Sequence, residues 1–458
     1  MSDQVKSGRL RRAAAMTTTA AGVAARNATA KAVTATSSSE ARRTAATRQQ
    51  LKSAEALVKV LGGMRGAAMK VGQTLSAVDL GLVPEEIRPE FQEILAQLQQ
   101  GAKPVSFKAI RKVIEEDLGE KLSDAFASFE EEPIASASIG QVHRATLEDG
   151  RVVAVKVQYP GIADAIYADL QNLKLGLKLL STIAPGIDTG AIADEIRERI
   201  SEELDYELEA TNQRSMARAY RGHPFIVVPD VVMDLCRERV IVSEYIEGTK
   251  FIDLGELTQD ERNRYGEMLV RFYISGPLGH RLLNGDPHPG NVLFLDDGRM
   301  AFLDFGFFKR LGDAEVAELL ASTRAVQSKD ARALLDVMVG LNALPDDPAL
   351  ADPFLEQYDA IFGWLFVDEP MAVDPTKTAD MMRRYTQLRR ADGFESMTLP
   401  AEHFVLMRSV MLLIGLLGQL GASNVWLDIA SEWLFDSGPR TDLGRQEAAF
   451  FGDLTPAV

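Results

Sequence analysis

The sequence is poor in cysteine and in long apolar runs. Its one cysteine, Cys236, excludes an internal disulfide and a zinc site built from cysteines. The N-terminus lacks the apolar segment of a secretory signal, so no such signal is expected. The longest apolar run, Phe404–Gly418, is shorter than a membrane span and contains Arg408, which predicts a buried helix instead. With 46% hydrophobic and 25% charged residues, the 458-residue chain has an ordinary globular composition.

Positive charge is scarce outside the first fifty residues. Residues 1–50 contain nine Lys/Arg and two Asp/Glu, whereas the whole chain has a net charge of −16. The net charge of residues 1–50 is thus +7, and that of residues 51–458 is −23, because −16 minus +7 is −23. An acidic body lacks the basic face that binds phosphate backbones, so no nucleic-acid partner is expected. The basic Ala-, Thr- and Ser-rich arm 1–50 is predicted to be disordered, with a membrane-surface or partner-binding arm and an organelle transit peptide as alternatives.

The hydrophobic pattern divides the rest of the chain into three parts. Residues 51–103 have helical periodicity, residues 104–247 combine strands with two long helices, and residues 248–458 are mostly helical. The sequence therefore predicts an α+β fold in which a small antiparallel β-rich lobe precedes a large α-helical lobe. The predicted strands of the small lobe are Phe126–Ile134, Gly140–Leu147, Arg151–Val157, Ile226–Met233 and Arg239–Tyr245, and its helices are Ala163–Ile183 and Ala191–Ala219.

The most specific motif lies within 284–306, in the letters N-G-D-P-H-P-G-N and D-F-G. Asn291 follows Asp286 by five positions, and Asp304 follows thirteen positions later. Phosphoryl transfer needs a carboxylate beside the attacking hydroxyl and oxygen ligands for Mg²⁺. The spacing predicts Asp286 as the base or positioning carboxylate, and Asn291 and Asp304 as metal ligands. His288 is interpreted as a brace of the loop, with a general base as the alternative.

A modified phosphate loop precedes this motif. The letters A-S-A-S-I-G-Q-V match the kinase pattern G-x-G-x-x-G-x-V at its last glycine and valine, with alanines in place of the first two glycines. Each Cβ occupies space that phosphate oxygens would use, while the two serines offer hydroxyl donors. A plain hairpin is the alternative. The residues expected to surround the phosphates are Ala135, Ser136, Ala137, Ser138, Gly140 and Val142.

Lys156 ends the letters V-A-V-K, which match the kinase V-A-I-K. The lysine of that motif contacts the α- and β-phosphates, although a solvated strand lysine is the alternative. Its carboxylate partner is expected in E-E-L-D-Y-E-L-E, where Asp205 and Glu209 would share one helix face and Glu203 would point about 120° to the side. One continuous helix would then address two neighbours. A solvated acidic face is the alternative for any one of these carboxylates.

The segment after the last predicted strand of the small lobe is expected to connect the lobes as a hinge. It reads S-E-Y-I-E-G over 243–248. Backbone groups of Glu244 and Ile246 are expected to meet an adenine edge there, an expectation that rests on their position alone.

Taken together, these residues resemble the UbiB-type, or aarF-domain, atypical kinases over about residues 51–421. The resemblance is carried by K-V-G-Q for the family's KxGQ motif, by the alanine-rich loop and by E-L-D for its ExD motif. It implies a protein-kinase-like fold with an N-terminal helical extension, 51–103, over the active site. It also implies that Glu209 pairs with Lys156. The residues implied to gate the site are Lys70, Gln73, Glu203 and Asp205, with Lys70 close to the nucleotide and paired with the ExD carboxylates.

The resemblance further implies a Mg²⁺-dependent kinase or ATPase that binds ATP or ADP. Its implied role is in isoprenoid quinone (ubiquinone) synthesis or other membrane lipid metabolism, with a quinone precursor or lipid and quinone-biosynthesis proteins as partners. The expected location is cytoplasmic, with peripheral contact at the inner face of a membrane and organelle targeting left open. The family loop commonly reads A-A-A-S, but Ser136 replaces the middle alanine here, which leaves the ADP or ATP preference open.

Two alternative functions remain at the level of sequence. The alanines of the loop are compatible with a nucleotide-sensing pseudokinase that acts as a lipid- or protein-binding module. The H-P-G-N letters are also shared by small-molecule phosphotransferases, so a soluble phosphotransferase is the third hypothesis.

Overall fold

The computed structural model describes residues 105–168, 170, 201, 203–373, 401–435 and 437–452. The predicted arm 1–50 and extension 51–103 lie outside them, and so do Lys70 and Gln73. The described residues form two compact units. The first unit holds residues up to Arg144, from Val155 to Asp205 and from Glu238 to Val240; the second holds Ala145–Ala154, Tyr206–Arg237 and residues from Ile241 onward. The domain boundaries predicted from the sequence stay predictions.

The helices and strands of the described residues are numbered in chain order. The α-helices are α1 (Phe107–Leu118), α2 (Leu122–Ala125), α3 (Tyr206–Ala219), α4 (Gln259–Val270), α5 (Gly276–Gly279), α6 (Asp313–Ser328), α7 (Ala331–Gly340), α8 (Ala351–Phe362), α9 (Ala401–Leu420), α10 (Trp426–Leu434) and α11 (Asp442–Phe451). Residues 162–168 are also helical, and Arg271–Ser275 form a π-helix between α4 and α5. Short 3₁₀ turns cover Met233–Leu235, Phe251–Asp253, Pro289–Asn291, Pro348–Leu350 and Gly363–Phe366.

The strands form four sheets. They are β1 (Ser128–Phe129), β2 (Ala135–Ser136), β3 (Gly140–Thr146), β4 (Val152–Gln158), β5 (Ile226–Val227), β6 (Val240–Glu244), β7 (Thr249–Lys250), β8 (Leu282–Asn284), β9 (Val292–Phe294), β10 (Met300–Phe302), β11 (Phe308–Arg310), β12 (Met371–Ala372) and β13 (Ser423–Asn424). In the first sheet the strand order is β1-β3-β4-β6, with β2 paired to β3. The strand orders of the other three sheets are β5-β10-β9-β7, β11-β8 and β12-β13. Strands β3, β4 and β6 each contain residues of both units.

Helix α1 shows how the first unit builds its core. Ile110, Val113 and Ile114 are buried at the i, i+3, i+4 spacing of one helix face. The helix ends at Gly119, whose φ of 77° allows its N–H to bond the Glu115 carbonyl. Ser106 lies at the N-cap position, but its hydroxyl makes no cap hydrogen bond. The burial of this face anchors the helix on the unit's core.

The letters E-D-G over 148–150 predict a hairpin turn between the two long strands, and that turn is confirmed. Strands β3 and β4 are neighbours in their sheet, and the Leu147 N–H donates to the Arg151 carbonyl at 2.9 Å. Gly150 has a φ of 85°, which an L side chain rarely adopts, and the Arg151 N–H donates to Asp149 Oδ1. The local turn chemistry therefore set this connection.

Two predicted strands are wrong in extent or partner. Within the first, Phe126–Ile134, only β1 forms. Within Ile226–Met233 only β5 forms, and it pairs in parallel with β10 rather than joining β6 in an antiparallel sheet. A single bridge between Val231 and Ser243 is what remains of the predicted pairing. Pro229 lacks the N–H that a continuous ladder would need, so the pairing stops there.

The long predicted helix Ala191–Ala219 is also wrong at its centre, because the helix is interrupted before α3. Residues 204 and 205 are not helical, and α3 begins at Tyr206. The Leu204 carbonyl accepts a hydrogen bond from Gln158 Nε2 at 2.7 Å, a bond to a side chain rather than to a helical amide. Glu203 and Asp205 therefore precede α3, and the expectation that one continuous helix carries Glu203 and Glu209 is not met.

The apolar run near the C-terminus is a buried helix, as predicted. It forms most of α9, where Val405, Leu413 and Leu417 are buried in the second unit. Val405 packs in one core cluster with Leu283 of β8 and Leu311, so the helix supports the strand that leads into the N-G-D motif. No helix in the described part of the chain combines the length and hydropathy needed to span a membrane.

Candidate functional site

The alanine-rich segment of the first unit is a tight hairpin. Strand β2 pairs with β3 in antiparallel register, and the Ala137 N–H donates to the Gly140 carbonyl at 2.8 Å. Gly140 is needed for packing, because a Cβ there would lie 2.2 Å from the Val157 carbonyl oxygen. Lys156 is half-buried on β4, the strand that carries Val157. The hairpin places the loop residues beside the strand of the candidate phosphate-binding lysine.

The loop and the ExD motif are brought together by one hydrogen bond. Ser138 Oγ donates to Glu203 Oε1 at 2.5 Å, which is short and charge-assisted. Of the two serines expected to offer donors to phosphate, Ser138 therefore donates within the protein, whereas Ser136 is exposed. Asp205 is also exposed. The Ser138–Glu203 contact joins residues 65 positions apart, and no local sequence pattern signals it.

Strand β3 is braced by a buried polar chain behind the loop. Gln141 Nε2 donates to His143 Nε2 at 2.9 Å, so His143 Nδ1 carries the proton and donates to the Glu130 carbonyl at 2.9 Å. Gln141 Oε1 accepts from the Val105 N–H at 3.0 Å. Burial lowers the pKa of His143, although the Glu130 carbonyl opposes that shift. The neutral ring therefore holds the strand in one arrangement.

The second unit holds the D-P-H-P-G-N loop. The chain leaves β8 at Asn284, passes Asp286 and enters the 3₁₀ turn that ends at Asn291. His288 Nδ1 accepts from the Gly290 N–H at 3.0 Å, which is the loop-bracing contact expected for this exposed histidine. Asn291 Nδ2 lies 3.4 Å from the Asp286 carbonyl. The loop's own hydrogen bonds thus hold two candidate site residues close together.

Asn284 connects this loop with the D-F-G segment. Its Oδ1 accepts from the Asp286 N–H at 3.1 Å, and its Nδ2 donates to the Asp304 carbonyl at 2.9 Å. The side chain is buried. The sequence gives no sign of a role for Asn284, because a residue two positions before a candidate catalytic carboxylate carries no chemical signature of its own.

Glu209 of α3 lies close to Asp304. Asp304 Oδ1 accepts from the Gly306 N–H at 3.0 Å. A Cβ placed on Gly306 would lie 3.3 Å from Asp304 Oδ1 and 3.7 Å from Glu209 Oε2, so these oxygens are at most 7.0 Å apart, the sum of the two distances. Asn212, one turn further along α3, approaches the Phe305 carbonyl at 3.4 Å. Two carboxylates this close favour a cation between or beside them.

Tyr273 is a further site residue that the sequence did not reveal. It lies on the π-helix, is buried, and packs edge-on against Phe302 of β10 with ring centroids 5.6 Å apart. Burial raises its pKa well above the usual value, and the negative charges of Asp286 and Asp304 raise it further. The tyrosine is therefore a neutral hydroxyl near both carboxylates. π-Helical turns occur frequently at functional sites, but their position cannot be read from periodicity.

The donor set of this unit fits Mg²⁺ rather than a softer metal. The candidate ligands are the carboxylate of Asp304 and the amide oxygen of Asn291, and Mg²⁺ prefers such oxygens together with phosphates and water. Within the described ranges, no group of three His, Cys, Asp or Glu side chains is arranged to hold a metal alone. A site with few protein ligands is what a metal shared with a nucleotide requires.

The predicted hinge residues follow β6. The Glu244 N–H donates to the Asp230 carbonyl at 2.9 Å, and its Oε2 accepts from the Asp230 N–H at 3.0 Å. The amide of Glu244 is thus bonded within the protein, so its carbonyl is the group that the adenine prediction would use. Ile246 is half-buried and lies outside the strands.

Comparison with known proteins identifies related chains. A family model described as "ABC1 atypical kinase-like domain" matches residues 97–338. "Atypical kinase COQ8B, mitochondrial" of Rattus norvegicus is 36% identical over 261 residues, which cover 57% of this chain and 49% of the relative. "Protein ACTIVITY OF BC1 COMPLEX KINASE 8, chloroplastic" of Arabidopsis thaliana is 33% identical over 286 residues, which cover 60% of this chain and 37% of the relative. The chain thus spans about half or less of the length of these curated relatives.

A solved structure is also similar over most of the chain. It is described as "The complex structure of Rv3197-erythromycin from Mycobacterium tuberculosis". The two chains are 34% identical, with a TM-score of 0.60, and the match covers 83% of this chain and 95% of the other.

Proposed function

The chain belongs to the ABC1 atypical kinase-like family, and on that premise we propose that it is a Mg²⁺-dependent, ATP-binding atypical kinase or ATPase. The predicted UbiB-type family and the kinase-like α+β fold are confirmed by these matches. The observation that carries the proposal is the linkage of Asp286 and Asp304 through Asn284, with Asn291 on the same loop. This arrangement supplies the two carboxylates and the amide oxygen that phosphoryl transfer requires.

Each residue of the second unit has a separate role in the proposal. Asp304 and Asn291 would hold Mg²⁺, which would supply positive charge to neutralise the phosphates. Asp286 orients the attacking hydroxyl or water and accepts its proton. Tyr273, whose pKa is raised by burial and by the charges of Asp286 and Asp304, places a neutral hydroxyl near these carboxylates. Glu209 is the proposed partner of the phosphate-binding lysine.

The residues of the first unit are proposed to bind and restrict the nucleotide. Lys156 contacts the α- and β-phosphates, and the hairpin of residues 135–142 covers them. The hydrogen bond between Ser138 and Glu203 supports a gating role for the ExD motif, because it ties that motif to the phosphate loop. In the same proposal Lys70 and Gln73, which lie outside the described residues, complete the gate.

The proposed pathway is isoprenoid quinone synthesis or another branch of membrane lipid metabolism. It rests on the family and on relatives named COQ8B. The proposed partners are a nucleotide, a lipid or quinone precursor and quinone-biosynthesis proteins. We propose a cytoplasmic location with peripheral contact at the inner membrane face; the names of two relatives place those proteins in mitochondria and chloroplasts.

Asp304→Asn tests the nucleotide site directly. Wild-type protein is expected to melt at a higher temperature when ATP and Mg²⁺ are added together, and Asp304→Asn is expected to lose that increase because a metal ligand has lost its charge. Asp296→Asn, which removes an exposed carboxylate from the turn between β9 and β10, is the matched control and should keep the increase. An unchanged increase in Asp304→Asn would reject the assignment.

A nucleotide-sensing pseudokinase is the second candidate, favoured by one observation. Ala135 and Ala137 replace the loop glycines, and Ser138 already donates to Glu203, so the loop offers phosphate fewer donors. ATP turnover measured with and without anionic liposomes separates the two candidates. Turnover that is lost in Asp286→Asn supports the enzyme. Nucleotide binding without turnover under either condition supports the binding module.

A further inference from the structure

We infer that Asn284 is a positioning residue that sets the spacing of the two acidic residues in the proposed phosphoryl-transfer site. The inference rests on the proposed function and deepens it, because it assigns the control of metal geometry to a residue that does not touch the metal. Its basis is a single buried side chain bonded to the backbone of Asp286 on one side and of Asp304 on the other.

The orientation of the Asn284 amide follows from its partners. The Asp286 backbone N–H can only donate, so the atom that faces it at 3.1 Å is Oδ1. The Asp304 carbonyl can only accept, so the atom that faces it at 2.9 Å is Nδ2. Since the two partners have opposite character, the reversed amide would lose both bonds. An asparagine therefore matches this place in a way that aspartate, leucine or alanine does not.

The backbone of Asn284 is itself anchored. Strand β8 pairs with β11, with Asn284 opposite Phe308. The next residue, Gly285, donates its N–H to the Phe307 carbonyl at 2.9 Å, and a Cβ on Gly285 would lie 2.5 Å from the Phe307 ring. The amide thus reaches from a fixed strand to both acidic residues.

Because its backbone is fixed, the Asn284 side chain can hold the residues of the proposed metal site in place. Asp286 begins the loop that carries Asn291, and Asp304 is the other proposed ligand, so the amide joins the two halves of the donor set across 20 positions of sequence. The Leu303 N–H also donates to the Asn291 carbonyl at 3.0 Å and so joins the two halves through the backbone, but the Asn284 amide is bonded to the two acidic residues themselves. Removing a supporting partner of metal ligands typically weakens metal affinity about 10- to 100-fold, and we expect a loss of that size here.

Asn284→Asp is the sharpest test, because it keeps the shape and changes one atom. The carboxylate still accepts from the Asp286 N–H, but when ionised it cannot donate to the Asp304 carbonyl. The Mg²⁺ concentration for half-maximal ATP-induced thermal stabilisation should therefore rise about 10- to 100-fold above wild type at about pH 8.

Two further variants complete the experiment. Asn284→Ala removes both bonds and should show a loss of Mg²⁺ response at least as large as that of Asn284→Asp. Ser409→Ala, the matched control, removes an equally buried contact to the Asn284 carbonyl without touching either acidic residue, and should keep the wild-type Mg²⁺ response. Melting without nucleotide reports whether each variant folds; if Asn284→Ala does not, Asn284→Asp carries the test.

The outcomes separate this inference from the proposed function. A wild-type Mg²⁺ response in Asn284→Asp would overturn the positioning role while leaving the proposed function intact. An equal loss of Mg²⁺ response in Asn284→Asp and Ser409→Ala would also overturn it, because a general packing defect would then explain both. If wild-type protein itself shows no Mg²⁺-dependent stabilisation by ATP, both the proposed function and the inference are rejected.

Discussion

Arg271 of the second unit has a completely buried charge, which needs negative partners to be stable. Its guanidinium donates to Glu267 at 2.8 Å, to Glu432 at 2.9 Å and to Glu447 at 2.7 Å. Burial opposes the charge, but the three carboxylates raise the pKa of Arg271 above its usual value. The arginine begins the π-helix that carries Tyr273, so the ion cluster also fixes the start of that turn.

Replacing Arg271 should strongly destabilise the protein. Arg271→Met leaves three nearly buried carboxylates without their cation, and breaking a buried pair from one side costs about 3–5 kcal/mol. Urea unfolding of the variant and the wild type measures the loss. Arg332→Ala, which removes an exposed arginine paired with Asp336 and Asp346, is the control and should unfold at nearly the wild-type urea concentration. Equal effects of the two substitutions would contradict this account.

His280 makes the stability of the protein dependent on pH. Within the described residues its buried Nε2 has no hydrogen-bond partner, and burial lowers its pKa, with Glu447 opposing and His223 assisting the shift. The pKa of such a histidine is lower in the folded protein than in the unfolded chain, where it is about 6.5. Its contribution to stability is therefore fully present above about pH 6.5, where the ring is neutral in both states. Below that pH the unfolded chain takes up the proton first, so stability falls as the pH falls.

The measurement for His280 is chemical unfolding between about pH 7.5 and pH 5.5. Wild-type protein should lose free energy of unfolding as the pH falls, and His280→Phe, which keeps an aromatic ring beside Tyr220 and Phe451, should lose less. His143 also has a pKa lowered by burial and remains in the variant, so some pH dependence should persist. An identical pH dependence in both proteins would show that His280 does not titrate as described.

Among the helices, replacement of glycine by alanine is expected to change stability in opposite directions in α4 and α9. Gly266 lies in α4, and a Cβ there would come within 2.5 Å of the Ala422 Cβ. Gly415 lies in α9, and a Cβ there would meet no atom of the described residues within 4 Å. Helix propensity alone favours alanine over glycine by about 1 kcal/mol at either position. Close packing therefore decides whether alanine raises or lowers the free energy of unfolding at Gly266, whereas helix propensity decides it at Gly415.

The two alanine variants form a matched pair. Gly415→Ala should raise the free energy of unfolding by about 0.5–1 kcal/mol, because only the helix propensity changes. Gly266→Ala should lower it by about 1–3 kcal/mol, because the added methyl group forces α4 away from its neighbour. Thermal melting of both proteins tests the pair. A stabilised Gly266→Ala would show that the contact relaxes without cost.

At the scale of the whole molecule, the single cysteine reports opening of the fold. Cys236 is 4% exposed, and its thiol lies 3.4 Å from the Val232 carbonyl and 3.4 Å from the Val242 N–H. Burial raises the pKa of Cys236 to about 11. The native thiol is thus both covered and protonated near neutral pH, which makes it unreactive.

Thiol labelling should therefore follow unfolding. At about pH 8 the raised pKa leaves about 100-fold less thiolate than an unperturbed thiol has, and burial slows the reaction further. A coloured disulfide reagent should react slowly with native protein and within seconds in denaturant. Addition of ATP with Mg²⁺ should slow native labelling if ligand binding suppresses opening. Rapid stoichiometric labelling of native protein would contradict the burial of Cys236.

Several features could be predicted because they depend on neighbours in the chain. The D-G hairpin between β3 and β4, the brace made by His288 and the buried helix α9 follow from turn chemistry, loop length and hydropathy. The break before Tyr206 was missed because the Leu204 carbonyl is bonded by Gln158, which lies 46 positions away. Helical periodicity continues through such a break and gives no sign of it.

The family, the kinase-like α+β class and the candidate residues Asp286, Asn291 and Asp304 could be read from the chain, because they follow from residue types and spacing. The folded structure was needed to show that Asn284 joins Asp286 to Asp304, that Ser138 donates to Glu203, and that β5 pairs with β10. Apart from the bond between Asn284 and Asp286, these contacts join residues 20 or more positions apart. Hydrogen-bond partners at such separations depend on how the elements pack, and a linear pattern contains no record of that packing.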